Sequence, residues 1–372
     1  MMLAVLFIAT IVSGFAGVFR TPRAATNPFE NRTSAPLPPF PDSRAALREY
    51  PLRFERFFDD RFGMRTTLVH IDHWVKAVVF GASPVSKVLI GTSGWLYFRG
   101  EDSRAFDRWY RGSEAITDAM LASARDELLR RQSFLAGRGI PFVAVVVPEK
   151  YSVYPEFLPD WATRLVSRTP LDRFGAELAQ HPQLQFIDLR MPLREVKGGD
   201  RLYYQTDSHW NYLGATVGYR VLMAKVAEAL PGLAVAPVVR PRYVPETDYY
   251  SGDLAQMLGL QRQFRETDIA PLGYVLATPE SRCAKHDASA DAPNVETYVY
   301  RCSNPPRFSA LIYRDSMGIP LVPMLAENFS RTTFVTSAQL DPALVERLAP
   351  DIVIEEMVER TLSDLPHYAM PR

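Results

Sequence analysis

The sequence predicts an α/β fold with a mostly parallel sheet and helices on both faces. Phe142–Val147 reads FVAVVV, a continuous and mostly β-branched run that suits a strand buried on both faces. Apolar runs of this kind alternate along the chain with stretches of helical spacing, which is the pattern of a parallel sheet covered by helices. At 372 residues, 47% apolar and 23% charged, the chain can bury a sizeable core and has an ordinary globular balance. That composition excludes wholesale disorder, a collagen-like fibre and a disulfide-stapled miniprotein. Lys plus Arg equals Asp plus Glu at 42 each, so the basic surplus of a nucleic-acid binder is missing.

The elements follow in order. Residues 1–19 carry no charged side chain, and about twenty apolar residues span a bilayer. They read as a cleaved signal peptide ending near Ala24 and Ala25, or as an uncleaved signal anchor. The anchor is the expected form, with the body outside the cytoplasm, although Arg20 and Arg23 run against the positive-inside rule. Residues 20–45 are rich in Pro, Ala and Asn and read as a tether. Residues 47–80 are helical and aromatic. Residues 89–98 read as a strand, a glycine-containing turn and a strand. Ser113 is placed to cap a long helix ending near Gly137 or Gly139. After the Phe142–Val147 strand come a helix over 171–178, a strand over 184–189 and a long helix over 211–230. Residues 236–305 read as an irregular insertion. A strand over 308–313, a helix over 317–329, a strand over 332–335, a helix over 343–348 and a strand over 351–354 complete the domain, taken as residues 46–372.

Two places can carry chemistry. Ser316 follows an apolar strand and stands at the head of a helix, just before Gly318. The rim of the sheet is where doubly wound folds build sites, and a helix N-terminus offers backbone N–H groups to a developing oxyanion. The competing reading is that Ser316 only caps the helix. Asp207-Ser208-His209-Trp210 is the second place. A nucleophilic serine needs a base, usually histidine, and the histidine needs a carboxylate to hold its tautomer. Asp207 and His209 are spaced to face one point from an extended loop. Asp207 as a helix cap, or the pair as metal ligands, are the alternatives, and no further ligand cluster stands out nearby in sequence. Trp95, Tyr97, Trp210 and Tyr212 can stack on a ligand ring but are more often core. Trp210 and Tyr212, beside the base, are the substrate candidates, with Lys150 as a partner for an anionic ligand or a surface ion pair. Cys283 and Cys302 share the irregular insertion and are expected to form a disulfide.

Five segments resemble the AlgX/AlgJ group of bacterial polysaccharide O-acetyltransferases, whose domain is SGNH-hydrolase-like. They are residues 62–65 with the Ile90-Gly91-Thr92-Ser93-Gly94-Trp95-Leu96-Tyr97-Phe98 stretch, the Pro148-Glu149-Lys150 to Tyr154-Pro155 loop, Thr206-Asp207-Ser208-His209-Trp210, Arg314-Asp315-Ser316-Met317-Gly318, and Pro350-Asp351-Ile352-Val353-Ile354. The order and spacing of these weak motifs make the match specific, and they cover about residues 60 to 360.

The resemblance implies a flavodoxin-like SGNH domain with the Asp-His motif ahead of the serine, a permuted order, and a catalytic set of Asp207, His209 and Ser316. Arg314 stands where glycine is usual, and the block supplying the Gly and Asn oxyanion donors is not identifiable. The Ser316 backbone is therefore the one oxyanion donor named. The implied activity is O-acetyl transfer to an exported polysaccharide through an acetyl-serine, with no cofactor and no metal. The implied partners are a membrane-bound O-acyltransferase supplying acetyl and a polysaccharide synthesis and export complex, at a bacterial inner membrane with the domain in the periplasm. An esterase using water as acceptor, or a non-catalytic scaffold of the export complex, are the readings that the residues leave open.

Overall fold

The computed structural model describes residues 35–61, 65–236, 238, 249–266, 283–287, 297–303 and 307–371. The expected membrane anchor at residues 1–19 lies outside them. Among the described residues no helix is long and apolar enough to cross a membrane.

The apolar runs become the sheet. Strands β1 (Val88–Ile90) and β2 (Leu96–Phe98) pair as a small antiparallel hairpin, turned by Ser93 and Gly94 with φ of 53° and 79°. The main sheet is built from β3 (Phe142–Val147), β4 (Gln185–Asp188), β5 (Cys283–Asp287), β6 (Thr297–Cys302), β7 (Ser309–Arg314), β8 (Arg331–Thr336) and β9 (Ile352–Val358). Its order is β4-β3-β9-β7-β8-β6-β5. The pairs from β4 through β8 are parallel, and β6 and β5 extend the sheet antiparallel. The last strand, β9, enters between β3 and β7, from which the chain steps outward to β4 on one side and to β8 on the other. That is the switch point beyond whose carboxyl ends such sheets place their sites.

Side-chain alternation divides the core in two. Val143, Val145 and Val147 of β3 face a layer with Leu193, Leu222, Val226 and Leu325, whereas Phe142, Ala144 and Val146 face Leu121, Leu128, Phe174 and Leu344. Both faces are therefore covered by helices, as the continuous apolar runs require.

Several boundaries differ from the sequence reading, each for a local reason. The long helix is Asp118–Ala136, and Thr117 caps it by accepting from Met120 N; Ser113 instead donates to Asp107. The stretch 317–329 is a tight 3-10 turn, Ser316–Leu321, followed by a short helix, Val322–Ala326, because Pro320 and Pro323 lack the N–H groups that a continuous helix needs. The insertion 236–305 is less irregular than expected, since it holds the helix Asp253–Leu258 and the edge strands β5 and β6. Cys283 lies opposite Cys302 in the β5–β6 register, and the two are disulfide-bonded.

The chain divides into two compact units. One holds the described residues up to Ser86 with Ala255–Gln263, the other Lys87–Leu254 with Phe264–Arg372. The first contains the helices Arg44–Arg61 and Arg65–Trp74, and in it His73 Nδ1 lies 2.7 Å from the carbonyl of Leu258. All of the sheet and all candidate site residues belong to the second.

Candidate active site

Ser316 stands at the carboxyl end of β7, exposed, on the first residue of the 3-10 turn. Asp315 builds that turn. Its Oδ1 accepts from Met317 N at 2.7 Å, and its Oδ2 accepts from Val358 N at 2.7 Å, which ties the turn to β9. The buried Glu356 accepts from Asp315 N at 3.2 Å. Gly318 packs so closely on Glu356 and Arg314 that a Cβ has no room there. Asp315 also takes the Gly318 N–H through its carbonyl. Of the first three N–H groups in the turn, that of Ser316 is then the one without an acceptor among the described residues, which is the disposition an oxyanion donor needs.

The loop before the helix Tyr212–Ala229 brings the second half. His209 Nε2 lies 2.9 Å from Ser316 Oγ, and His209 Nδ1 lies 2.7 Å from Asp207 Oδ1. The carboxylate fixes the tautomer: Nδ1–H donates to Asp207, leaving Nε2 to accept the Ser316 proton. Asp207 is itself saturated. Oδ1 also accepts from His209 N at 3.0 Å, and Oδ2 accepts from Tyr250 OH at 2.6 Å and Asp253 N at 3.0 Å.

The electrostatics follow from these contacts. Burial pushes the Asp207 carboxyl upward, but the hydrogen bond and charge of His209 outweigh it and hold the group well below the usual carboxylate range. Burial pushes His209 downward, and the hydrogen bond and charge of Asp207 reverse this, so its proton affinity is raised. Asp253 is raised by burial and by the Asp207 charge. Serine, imidazole and carboxylate so placed can take a proton from Ser316 and hand it to a leaving group.

Residues 88–292, more than half of the chain, match the family model described as the SGNH hydrolase-like domain of acetyltransferase AlgX. The chain belongs to this family. Relatives named "Probable alginate O-acetylase AlgJ" agree: the one from Azotobacter vinelandii is 26% identical over 241 residues, covering 63% of this chain and 55% of its own. That from Pseudomonas syringae pv. tomato is 30% identical over 179 residues, covering 48% and 42%. The chain spans about half the length of the curated relatives it matches. The solved structure of Bacillus cereus PatB1 shares the fold, with a TM-score of 0.52 at 14% identity over 75% of this chain and 98% of that one.

The structure brings Asp207, His209 and Ser316 together, and the three substrate candidates are not presented to solvent. Lys150 is 1% exposed. Its Nζ donates to the carbonyls of Tyr204 at 2.9 Å, Gln205 at 3.1 Å and Asp207 at 2.6 Å, and sits 5.6 Å and 5.3 Å from the Trp95 and Tyr97 ring centroids. It is neither a sugar contact nor a surface ion pair; it pins the loop that carries Asp207. Burial lowers its pKa to about 8 against the pull of Glu266 and Asp207. Trp210 is wholly buried and donates from Nε1 to Met317 O at 2.7 Å, joining the histidine loop to the serine turn. Tyr212 is buried in the same core layer.

Three site residues escaped the sequence reading: Tyr250, Asp253 and Glu266. Glu266 Oε1 accepts from both Thr206 N and Thr206 Oγ1 at 2.7 Å. Gly252-Asp253 ahead of a short apolar helix is a cap signal, but nothing local in it points to Asp207. Asp207, His209 and Asp253 place three ligand-type atoms within 4.8 Å of one another. Those atoms are already paired, His209 Nδ1 with Asp207 and Asp253 Oδ2 with Ser208, so a cation there would have to break the bond that orients the imidazole.

Proposed function

We propose that this chain transfers acetyl groups to hydroxyls of an exported polysaccharide through an acetyl-Ser316 intermediate. The observation that carries the reading is the exposed Ser316 Oγ, 2.9 Å from an imidazole whose other nitrogen is held by a buried carboxylate. Ser316 Oγ attacks the acetyl carbonyl carbon of the donor, and its proton passes to His209 Nε2. The oxyanion is met by the Ser316 N–H. The tetrahedral adduct collapses, the donor bond breaks, and the leaving group takes the proton from the imidazolium. A sugar hydroxyl then attacks acetyl-Ser316 while Nε2 takes its proton. Collapse breaks the ester to Ser316, whose oxygen recovers that proton. Asp207 balances the imidazolium charge in both steps.

Membership of the AlgX family and the alginate O-acetylase name of the relatives support a polysaccharide acceptor. The apolar, uncharged residues 1–19 support an inner-membrane anchor with the domain in the periplasm, where a membrane-bound O-acyltransferase would deliver acetyl to a polysaccharide export complex. The exposure of Ser316 favours hydrolysis as the second reading, because water reaches the acetyl-enzyme as readily as a sugar does.

The test is incubation with p-nitrophenyl acetate followed by peptide mapping. Acetyl on Ser316, its absence in Ser316→Ala with an unchanged melting transition, and discharge to an added oligouronide in preference to water are expected. Discharge to water alone would make the chain an esterase. Full turnover by Ser316→Ala would end both readings.

A further inference from the structure

The Asp207–His209 pair is held from behind by a segment that the acetyl-transfer steps do not use. Ser208 N donates to Asp253 Oδ1 at 2.7 Å, and Ser208 Oγ donates to Asp253 Oδ2 at 2.5 Å. With its proton committed to Asp253, Ser208 Oγ turns a lone pair toward His209 Nδ1 at 3.2 Å. The Nδ1–H is then shared between Asp207 Oδ1 and Ser208 Oγ. The Asp253 peptide N–H is the donor to Asp207 Oδ2 already described. This approach is possible because residue 252 is glycine, since a Cβ there would enter the backbone of Asp207. Gly252 N in turn donates to Thr206 Oγ1 at 3.0 Å.

We propose that Asp253 is a positioning residue for the acetyl transfer, orienting the His209 imidazole through Ser208 and the Asp207 carboxylate through its own peptide N–H. An aspartate on the first residue of a helix ordinarily serves that helix, but here both carboxylate oxygens are engaged by Ser208. The result is a clamp of two groups on one ring nitrogen. Asp207 and Ser208 hold Nδ1, and any rotation that moves Nε2 away from Ser316 breaks both contacts. Asp253 Oδ2 lies 3.8 Å from Nδ1, so it also places a second negative charge beside the imidazolium that forms during turnover. The other groups that bear on the ring are Asp207, of the same sign, and Arg360, of the opposite sign. Tyr250 stays neutral, because burial and the Asp207 charge push its phenol far up.

The proposal rests on the acetyl-transfer reading for the step that the clamp serves, but the imidazole can be followed without turnover. The experiment uses the full chain and the variants Asp253→Asn, Ser208→Ala, their combination and Asp253→Glu. His209 is titrated by NMR of its ring nitrogens, and p-nitrophenyl acetate turnover is measured beside it. In Asp253→Asn the imidazole should titrate lower, with a roughly ten-fold weaker proton affinity. Its kcat should fall while KM stays near wild type, and Asp253→Glu should recover part of the rate. Adding Asp253→Asn to Ser208→Ala should cost less in kcat than Asp253→Asn costs alone, because the route through Ser208 is already gone. An unchanged His209 titration in Asp253→Asn, or simple additivity with Ser208→Ala, would overturn the proposal. Should Asp253→Asn fail to fold, Ser208→Ala decides alone: a lowered titration supports the clamp and an unchanged one ends it. Loss of turnover in every variant and in wild type, with the titrations as expected, would count against acetyl transfer and not against the clamp.

Discussion

Asp207 is buried and still ionised because His209 Nδ1, His209 N, Tyr250 OH and Asp253 N all donate to its two oxygens. A carboxylate with several donors keeps its charge where an unsatisfied one would take up a proton. Its charge is then felt by His209, whose proton affinity rises. In the proposed acetyl transfer the base form of His209 is the reactive one, so kcat/KM should climb with pH through an inflection above 6.5, the ordinary histidine value. Asp207→Asn should do two things. An amide can turn its NH₂ toward Nδ1 and impose the wrong tautomer, which cost about 10⁴ in kcat in the serine-protease example, and a loss of that order is expected here. The inflection should also move down, because the charge that raised it is gone. Stopped turnover assays across pH, with a melting curve at each point, measure both. A variant within a few-fold of wild type at all pH values would remove Asp207 from the reaction.

At the scale of elements, the site is a meeting of two loops, and Trp210 is the joint between them. Its indole lies under the helix Tyr212–Ala229, close enough to Gly218 that a Cβ there would come within 2.6 Å of the ring, and its N–H reaches the carbonyl of Met317 beside Ser316. Trp210→Phe keeps most of the apolar bulk but leaves that carbonyl without its donor. The expected cost is about 1–3 kcal/mol of stability, the penalty for a buried group left unpaired, together with a fall in kcat as the serine turn loosens. Urea unfolding and acetyl turnover check the two, and a variant unchanged in both would mean that the loops are registered elsewhere. The elements themselves were legible because their signals are local. FVAVVV of β3, buried on both faces, reads as a strand in any context, and Asp207 two residues before His209 reads as a pair. Lys150 was misread because its burial depends on three carbonyls of the Tyr204–Asp207 loop, which no spacing reveals. Asp253 and Tyr250 were missed for the same reason: they reach Asp207 only after an insertion folds back. Thr117 took the cap from Ser113 because helix starts depend on a backbone turn, not on the first available hydroxyl.

Across the whole molecule, the carboxyl ends of the central strands carry acids that the fold has buried: Glu149 after β3, Glu356 near the end of β9 and Glu359 just beyond it, all under 5% exposed. Glu149 is paired with Arg360, and its N–H is accepted by Glu359 Oε2 at 3.0 Å. Glu359 is the informative member. Burial raises its pKa from 4.5 to about 7 despite the opposing charge of Arg190. A carboxyl whose folded pKa lies above its unfolded value contributes stability at low pH and loses it as pH rises through the folded value, because the unfolded chain then gains more from ionising. The loss should fall between pH 4.5 and about 7 and amount to on the order of 3 kcal/mol. Asp207 works in the opposite sense, its depressed pKa protecting stability until the pH drops below the ordinary carboxylate range. Glu359→Gln isolates the first effect, since an amide oxygen can still accept from Glu149 N and has no charge to bury. Below pH 4.5 the variant should match wild type closely in urea unfolding. At pH 8 it should be the more stable of the two, and the curve of stability against pH should flatten between those limits. Parallel curves for the two proteins at every pH would mean that Glu359 titrates normally and carries its charge without strain.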